Sequence, residues 1–321
     1  MKKCIRFTGL ILAFLFLTSP AVSAAQSLVP GGQIIGLSLE NSTLTVAKLD
    51  EALPSGKNAG LMPGDRITHI DGDPVETAAA LRQALCRSHG TVQIRLLRDK
   101  KTLDLTAEPD ITPNGPRLGI YLKEGITGVG TVTWYDPDSG KFGALGHSVN
   151  GPGGQLLDMK RGTAYEAEIL SVKKGRSGTP GQLMGQLDPN APVGSLEKNS
   201  TQGVFGKLTQ PIQGESLPIA EPEQIKTGNA TIRCTVSGSS VQEYSVKIQK
   251  IYPGNRTDGR NMLVKITDPQ LLETTGGIVQ GMSGSPILQD GRIVGAVTHV
   301  LVNDPTTGYG IFIENMLDAA A

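Results

Sequence analysis

Short apolar runs separated by glycine- and proline-rich turns recur along most of this chain. The 321 residues include 41 Gly and 20 Pro, and the glycines show no collagen-like repeat. Because Gly and Pro form tight turns and interrupt regular elements, closely spaced turns favour many short strands over long helices. The pattern predicts a mostly β chain that is long enough for two domains.

The charge balance and the cysteines exclude several classes of function. Lys and Arg total 30 and so do Asp and Glu, so no basic excess exists to bind phosphates and no nucleic-acid partner is expected. Cys4, Cys86 and Cys234 lack CxxC spacing and a neighbouring His. Cys86 and Cys234 are therefore predicted to be buried free thiols, with a bridge between them as the alternative. No cofactor and no metal are expected.

The first 25 residues differ in composition from the rest. Their basic residues are Lys2, Lys3 and Arg6. An apolar run at residues 7–17 and the small residues 22–24 follow, which is the order of a signal peptide. The apolar run is shorter than the roughly 20 residues of a full span, so cleavage and retention as a membrane anchor both stay open. The rest of the chain is expected to be exported across the cytoplasmic membrane.

A compact first unit is predicted over residues 29–109. Its strand-like runs are residues 34–39, 44–47, 66–70, 92–96 and 103–107, and residues 77–86 have helical periodicity. Residues 109–116, which include Asn114 and Gly115, read as a linker. Short strand-like runs with few helices then recur up to the C-terminus, so residues 110–321 are predicted to form a barrel or a pair of sandwiches.

The first unit contains the sequence Ala-Gly-Leu-Met-Pro-Gly-Asp at residues 59–65, followed by a strand and Ile-Asp-Gly at 70–72. It resembles the bacterial PDZ signature, in which such a turn leads into a strand. The resemblance implies capture of a peptide or chain terminus as an added strand beside a groove. The carboxylate-side loop of that groove is expected at Ile35, Gly36 and Leu37. The alternative is a unit that only packs on the second domain.

Residues 281–286, Gly-Met-Ser-Gly-Ser-Pro, form the most distinctive motif. A Ser between two Gly can lie on a tight turn, where the N–H groups of Gly281 and Ser283 are placed to bind an oxyanion. Gly284 is expected to let the substrate backbone approach closely. A strand, a turn and a second strand follow Ser283, which is the order that trypsin-like proteases show after their nucleophile.

A nucleophilic Ser needs a general base, and the chain has four His. His69 and His89 belong to the first unit and are predicted to be surface or packing residues. His299 ends the strand after the Ser loop, which allows a place near the cleft, but a structural role in that strand is the expectation. His147 follows an early predicted hairpin and precedes Ser283, as the base does in trypsin-like chains. His147 is therefore the predicted base.

The acid partner stays open at this level, because spacing alone does not choose among the candidates. They are Asp158, Asp188 and Asp268. An esterase with a G-x-S-x-G elbow is disfavoured, because the residue after Ser283 is Gly, the motif ends in Ser, and little chain follows to supply an acid and a base.

Longer stretches carry a specific family resemblance. Residues 276–286 (GGIVQGMSGSP), 295–300 (GAVTHV) and 143–148 (GALGHS), behind a PDZ-like unit, resemble the stage IV sporulation protein B peptidases of endospore-forming bacteria. The likeness extends over nearly the whole chain. It implies a PDZ-like domain followed by a trypsin-like double β-barrel. It also implies that the catalytic residues are His147, Asp268 and Ser283.

The same resemblance implies a function. Such an enzyme is a serine endopeptidase that cleaves itself and a membrane regulatory protein in the space between forespore and mother cell. That cleavage releases an intramembrane protease, which activates a late sigma factor. Membrane association through the N-terminal segment is part of this expectation. The alternative is a non-catalytic PDZ-containing binding or regulatory protein, which would tolerate the loss of His147 and Ser283, whereas this chain retains both.

Overall fold

The computed structural model describes residues 26–151, 154–252, 256 and 258–321; for residues 41–43 and 124 it describes the backbone only. The predicted signal peptide or membrane anchor at residues 1–25 lies outside the described residues. Within the described part of the chain, no helix has both the length and the apolar character needed to cross a bilayer.

The chain folds mostly into β-strands, as the turn-rich sequence predicts. The first fourteen strands are β1 (Ser27–Pro30), β2 (Ile34–Leu49), β3 (Arg66–Ile70), β4 (Asp73–Pro74), β5 (Val92–Arg98), β6 (Lys101–Ala107), β7 (Asp110–Thr112), β8 (Gly115–Arg117), β9 (Ile120–Tyr135), β10 (Lys141–Ala144), β11 (Met159–Lys173), β12 (Gln182–Ser200), β13 (Gly203–Leu208) and β14 (Leu217–Pro218). The remaining strands are β15 (Gly228–Cys234), β16 (Gln242–Ile251), β17 (Met262–Ile266), β18 (Pro286–Gln289), β19 (Arg292–Leu301) and β20 (Asp304–Phe312). The helices are α1 (Ser55–Asn58), α2 (Ala78–Arg87), α3 (Pro269–Thr275) and α4 (Ile313–Ala320).

Beside the PDZ module, the chain forms two barrels of six strands. The first has the order β9-β10-β13-β12-β11-β2 and closes where β2 pairs with β9. The second is a closed barrel of order β15-β16-β17-β20-β19-β18. Alternate residues of each strand point inward, as with Ile232, Val246 and Val264, which are all at most 2% exposed. The predicted fold class, a PDZ-like domain followed by a trypsin-like double β-barrel, is confirmed.

The PDZ module has its own core, and its signature motif has a structural explanation. Strands β3, β5 and β6 pack against α2, whose buried face includes Leu81 and Leu85. Asp65, the last residue of the signature, is 1% exposed; it accepts hydrogen bonds from Met62 N at 2.8 Å and from Arg98 Nε at 2.7 Å. A buried carboxylate is stable only when paired in this way, so the motif requires Asp at this position.

Strands β2 and β9 belong to both modules. The first half of β2 (34–40) pairs with β9 at residues 125–131 inside the first barrel, whereas its end pairs with the start of β9 beside the PDZ core. Residues 34–40 therefore belong to the first barrel, although they lie within the predicted bounds of the PDZ-like domain, 29–109. The predicted linker at 109–116 is wrong: it is the β7–β8 hairpin, held to the PDZ module where Ser55 N donates to Asp110 Oδ2 at 3.0 Å.

The two described cysteines differ in environment. Cys234 is buried in the second barrel, and desolvation raises the pKa of its thiol to about 12. Cys86 is exposed on α2, so the prediction of a buried thiol is wrong for that residue. The helical periodicity points Leu81 and Leu85 inward and leaves Cys86 on the outer face.

Candidate active site

A cleft of about 520 Å³ lies where the two barrels meet. His147 from the first barrel and Ser283 from the second both line it, as the chain order predicts. His299, at the end of β19, lines the same cleft. His69 and His89 lie in the PDZ module and are not among the residues that line this cleft. The structure therefore brings Ser283 together with two imidazoles.

The loop that carries His147 follows β10 and is held in an unusual backbone conformation. Leu145, two residues earlier, has φ of 70° although it is not a glycine, and its N–H donates to Thr131 O at 3.2 Å. Such a conformation is stable only when its surroundings hold it in place, and such residues cluster at functional sites. Burial of Leu145 against β9 thus fixes the direction in which the loop presents His147.

One contact determines the tautomer of His147. Nδ1 lies 2.9 Å from the carbonyl oxygen of Ser148. Because a carbonyl only accepts, Nδ1 carries the proton of the neutral imidazole, and Nε2 keeps a free lone pair. Burial lowers the pKa of His147 from its ordinary value, which favours this neutral form near pH 7.

The Ser283 loop is tied to the first barrel by backbone and side-chain hydrogen bonds. Thr131 N donates to Ser283 O at 3.2 Å, and Thr131 Oγ1 donates to Gly281 O at 2.8 Å. Within the loop, Ser285 Oγ donates to Met282 O at 2.7 Å. Strand β9 therefore positions the nucleophile loop of the other barrel.

Gly284 has a different role from the one expected. With φ at +97°, a Cβ at this position would lie 2.1 Å from Thr131 O and 2.5 Å from Leu145 N. The backbone that approaches Gly284 is thus the chain's own, from β9 and the His147 loop, and not that of a substrate. Only Gly lets the loops that carry the base and the nucleophile come this close.

The backbone around Ser283 has free donors. Among the described residues, neither Gly281 N nor Ser283 N has a hydrogen-bond acceptor, whereas Met282 N and Gly284 N are bonded to Val279 O and Val297 O. The Ser283 hydroxyl donates to the carbonyl oxygen of Thr298 at 2.8 Å. Transfer of the hydroxyl proton to His147 would require this hydroxyl to rotate from Thr298 toward the imidazole.

The structure does not bring Asp268 into the cleft. Asp268 is the N-cap of α3, where Oδ1 accepts from Leu271 N at 3.0 Å and Oδ2 accepts from Ser245 N at 3.3 Å. Asp188 is exposed on β12 and accepts from Asn190 N, and Asp158 is exposed just before β11. None of the three Asp candidates lines the cleft. The triad role of Asp268 remains a prediction.

His299 lies next to His147 in the cleft, the place that its position after the Ser loop allows. Its ring centroid lies 5.3 Å from that of His147. Burial first, then the neighbouring His147 and Arg260, lower the pKa of His299 to about 4, with Asp258 acting in the opposite direction. In the sequence, the only indication of this placement is the position of His299 on the strand after the Ser loop.

Within the described part of the chain, no group of three or more His, Cys, Asp or Glu could hold a metal ion.

The PDZ groove is not at Ile35, Gly36 and Leu37, and that prediction is wrong. These residues lie inside β2, where Gly36 pairs with Val129 of β9 on one edge and with Tyr165 of β11 on the other. A strand bonded on both edges has no free backbone for a peptide. The alternation of residues 34–39 indicates a strand, and the pairings on both edges make it a barrel strand.

A separate groove of about 260 Å³ lies between α2 and the start of β9. Its lining includes Leu81, Arg82, Leu85, Arg117 and residues 118–122. The first residues of β9 pair with β2 on one edge, and no pairing strand lies on the edge toward α2 among the described residues. Gly119 turns the chain into this strand with φ at +59°, and a Cβ there would lie 1.8 Å from Leu53 O. An open strand edge beside a helix suits an added peptide strand.

Two family models match the chain. The PDZ domain model matches residues 34–108, and the model described as SpoIVB peptidase S55 matches residues 114–317. The second match spans well over half of the chain and contains His147, Asp268 and Ser283.

The chain also has partial similarity to individual proteins. Relatives named as zinc metalloproteases in Mesorhizobium japonicum and Rhizobium meliloti are 34% and 33% identical over 85 and 78 residues. These matches cover 26% and 24% of this chain, which spans only 23% and 21% of those relatives. Among solved structures, the active form of the Rv3671c protease from M. tuberculosis is 16% identical, with a TM-score of 0.34 over 72% of this chain and 81% of that one. The PDZ domain of the SdrC-like protein from Listeria monocytogenes is 24% identical, with a TM-score of 0.22 over 25% of this chain and 87% of that one.

Proposed function

The chain belongs to the SpoIVB peptidase S55 family, and from that premise we propose that it is a serine endopeptidase in which His147 and Ser283 hydrolyse a peptide bond. One observation carries the proposal: the base and the nucleophile come from different barrels and line one cleft. A purely binding protein has no need to place a half-buried neutral imidazole and a loop serine together at this junction.

The proposed chemistry follows from the atoms that face the cleft. Nε2 of neutral His147 takes the proton of Ser283 Oγ as the oxygen attacks the peptide carbonyl carbon. The carbonyl oxygen becomes an oxyanion, which the free N–H groups of Gly281 and Ser283 stabilise. Collapse of this intermediate breaks the C–N bond, and imidazolium gives its proton to the leaving amine. Water, deprotonated by His147, then hydrolyses the acyl-enzyme and restores Ser283.

The third member of the proposed triad is assigned by family resemblance. Asp268 orients the imidazole in that scheme and stabilises the imidazolium. In this structure the carbonyl oxygen of Ser148 already accepts the hydrogen bond from His147 Nδ1–H, and Asp268 caps the N-terminus of α3. A triad that includes Asp268 therefore requires the carboxylate to exchange two backbone N–H partners for the imidazole.

The decisive experiment removes the nucleophile, the base and both. Ser283→Ala and His147→Ala are each expected to lower kcat for a protein substrate on the order of 10⁶-fold, and the double variant little further, because the pair acts as a unit. Ser171→Ala, an exposed serine on β11 outside the cleft, is the matched control. A folded His147→Ala protein with wild-type activity would reject His147 and make His299 the candidate base. A folded Ser283→Ala protein with wild-type activity would favour the non-catalytic alternative.

Self-cleavage belongs to the proposal, and the structure narrows where it can occur. Residues 27–30 form β1, which is paired with β9 and β14, and Leu28 is fully buried. A bond in this strand cannot enter a cleft without unfolding it. Trimming is therefore proposed before Ser27, and intact-mass analysis of wild type beside Ser283→Ala tests it. Identical N-termini in both proteins would reject it.

The PDZ groove is proposed to hold a peptide or chain terminus that regulates cleavage. Arg82 and Arg117 at the groove suit a carboxylate, and Leu81 and Leu85 suit an apolar last residue. Arg82→Glu is expected to weaken binding of a peptide with a free apolar C-terminus at least tenfold. Arg87→Glu makes the same charge change on the same helix outside the groove and is the control. Equal affinities of the two variants for this peptide would reject the groove as its binding site.

Family membership supports a biological setting for this activity. The proposed substrate is a membrane regulatory protein of sporulation, whose cleavage releases an intramembrane protease and so activates a late sigma factor. The proposed location is outside the cytoplasmic membrane, between forespore and mother cell, with tethering or secretion through the N-terminal segment. A strain with Ser283→Ala is expected to make normal amounts of the protein and to fail at late sigma-factor activation. Normal activation in that strain would reject this role.

A further inference from the structure

The nucleophile loop contains a second serine, Ser285, which the proposed chemistry does not use. Ser285 is completely buried, so its side chain does not reach a bound substrate. Its hydroxyl donates to the carbonyl oxygen of Met282 at 2.7 Å, and its backbone N–H donates to the same oxygen at 3.0 Å. Two donors from one residue therefore converge on a single carbonyl of the loop.

That carbonyl belongs to the same peptide unit as the N–H of Ser283. A peptide unit is planar and trans, so its C=O and its N–H point in opposite directions. Because Ser285 holds Met282 O toward the buried side of the loop, the Ser283 N–H is turned away from Ser285. This N–H has no acceptor among the described residues. The Ser285 side chain therefore sets the direction of one of the two proposed oxyanion donors.

The other oxyanion donor is fixed in the same way by the first barrel. The Gly281 N–H shares its peptide unit with the carbonyl of Gln280, whose oxygen accepts from Leu183 N at 2.8 Å. Leu183 is 1% exposed near the start of β12, so this partner is firmly held. Each donor is thus oriented by a hydrogen bond to the opposite side of its own peptide unit. Only the bond to Met282 O includes a side chain, so only that one can be removed by substitution.

A buried thiol supports Ser285 from the interior of the second barrel. Cys234, the last residue of β15, is fully buried and hydrogen-bonds to the Ser285 side chain. The thiol is protonated near pH 7, because desolvation raises its pKa to about 12. Its S–H is then a weak donor for Ser285 Oγ, and the hydroxyl hydrogen of Ser285 stays directed to Met282 O.

Resting on the proposed peptidase function, we infer that Ser285 is a positioning residue: its hydroxyl holds the Met282–Ser283 peptide in the orientation that presents the Ser283 N–H to the oxyanion. A donor that already points at the site needs no reorganisation when negative charge develops. The hydroxyl should therefore stabilise the transition state more than the bound substrate, and its loss should lower kcat without raising KM.

Ser285→Ala tests this role, because it removes the hydroxyl and keeps the backbone bond to Met282 O. The probe is a quenched fluorescent peptide that the wild type cleaves and Ser283→Ala does not. Loss of a whole oxyanion donor costs on the order of 10²–10³ in kcat, so a donor that is loosened but retained should cost about tenfold. We expect kcat to fall about tenfold while KM stays unchanged.

Two inhibitors made from the same peptide separate positioning from a general loosening of the cleft. The peptide aldehyde forms a tetrahedral adduct with Ser283 and places an oxygen at the oxyanion donors, whereas the peptide amide forms no adduct. The dissociation constant of the aldehyde is expected to rise about tenfold in Ser285→Ala, in step with kcat. The dissociation constant of the amide should not change.

Ser55→Ala is the matched control. Ser55 is 5% exposed in the PDZ module, and its hydroxyl donates to Arg117 O at 3.2 Å. The same substitution therefore removes the same kind of buried hydrogen bond outside the cleft. Ser55→Ala is expected to keep the wild-type kcat and the wild-type affinity for the aldehyde. Thermal unfolding of both variants establishes that each is folded at the assay temperature.

The outcomes distinguish this inference from the proposed function. A folded Ser285→Ala protein with the kcat and the aldehyde affinity of Ser55→Ala would overturn the positioning role and leave the peptidase standing. Equal weakening of aldehyde and amide binding would overturn it as well, because Ser285 would then only maintain the shape of the cleft. If the wild type cleaves no peptide in a Ser283-dependent way, the proposed function and the inference fail together.

Discussion

The imidazole of His147 is half-buried, and this residue is where acid should first affect activity. Because burial lowers its pKa below the ordinary 6.5, the base stays neutral to lower pH than an exposed His would. The acid limb of the kcat/KM profile is therefore expected to have its midpoint below pH 6.5. A pH–rate series with a neutral peptide measures it. A midpoint at or above 6.5 would contradict the assignment of His147 in this environment.

Asp268 can be tested through its two different roles. Asn accepts the Leu271 N–H as Asp does, although its NH2 cannot accept the Ser245 N–H. Asp268→Asn is therefore expected to lose less stability than Asp268→Ala, which should lower the free energy of unfolding by about 1 kcal/mol. Urea denaturation of both variants measures this difference.

Activity of the stable Asp268→Asn variant then isolates the charge. A loss of about 10⁴-fold would support the triad role that the family resemblance implies. Wild-type activity would limit Asp268 to capping α3, with Ser148 O as the group that orients His147.

At the scale of elements, the contact between the two barrels depends on Gly284. Its Cα faces Thr131 O and Leu145 N, so Gly284→Ala is expected to destabilise the protein by about 3 kcal/mol and to displace the Ser283 loop. Gly291→Ala is the matched control, since Gly291 also has positive φ at +72° but no neighbouring atom within 4 Å. That variant should lose only about 1 kcal/mol. Equal losses in thermal unfolding would contradict a steric role for Gly284.

At the scale of the whole molecule, the shared strands decide how the PDZ module can be removed. Deletion of residues 30–108 also removes residues 34–40 of β2, which lie between β9 and β11. That variant is expected to be insoluble, because the first barrel is left open with two bare strand edges.

A different deletion should keep both barrels. Glu40 and Gly125 are direct partners across β2 and β9, so an Asn-Gly turn can replace residues 41–124 and close a hairpin. This variant is expected to be soluble and to retain Ser283-dependent hydrolysis of short peptides, measured by size-exclusion chromatography and peptide assay. Failure to fold would show that the first barrel needs the PDZ module.

The sequence alone predicted the features that depend on local chemistry. The turn density predicted a mostly β fold, and the motif at residues 59–65 predicted the PDZ module, because Asp65 and the turn glycines act within a short stretch of chain. The motifs around His147 and Ser283, and the order of these two residues in the chain, predicted the pair that lines the cleft. These inferences needed only neighbouring residues or their order.

Only the tertiary structure decided which distant segments meet. The alternation of residues 34–39 predicts a strand but does not tell a groove edge from a barrel strand, since both have the same period of two. The approach of Thr131 and Leu145 to Gly284, the cap formed by Asp268 and the place of His299 in the cleft likewise depend on pairings between residues far apart in the chain. Strand partners are selected by the packing of the whole barrel, so the sequence around each residue does not specify them.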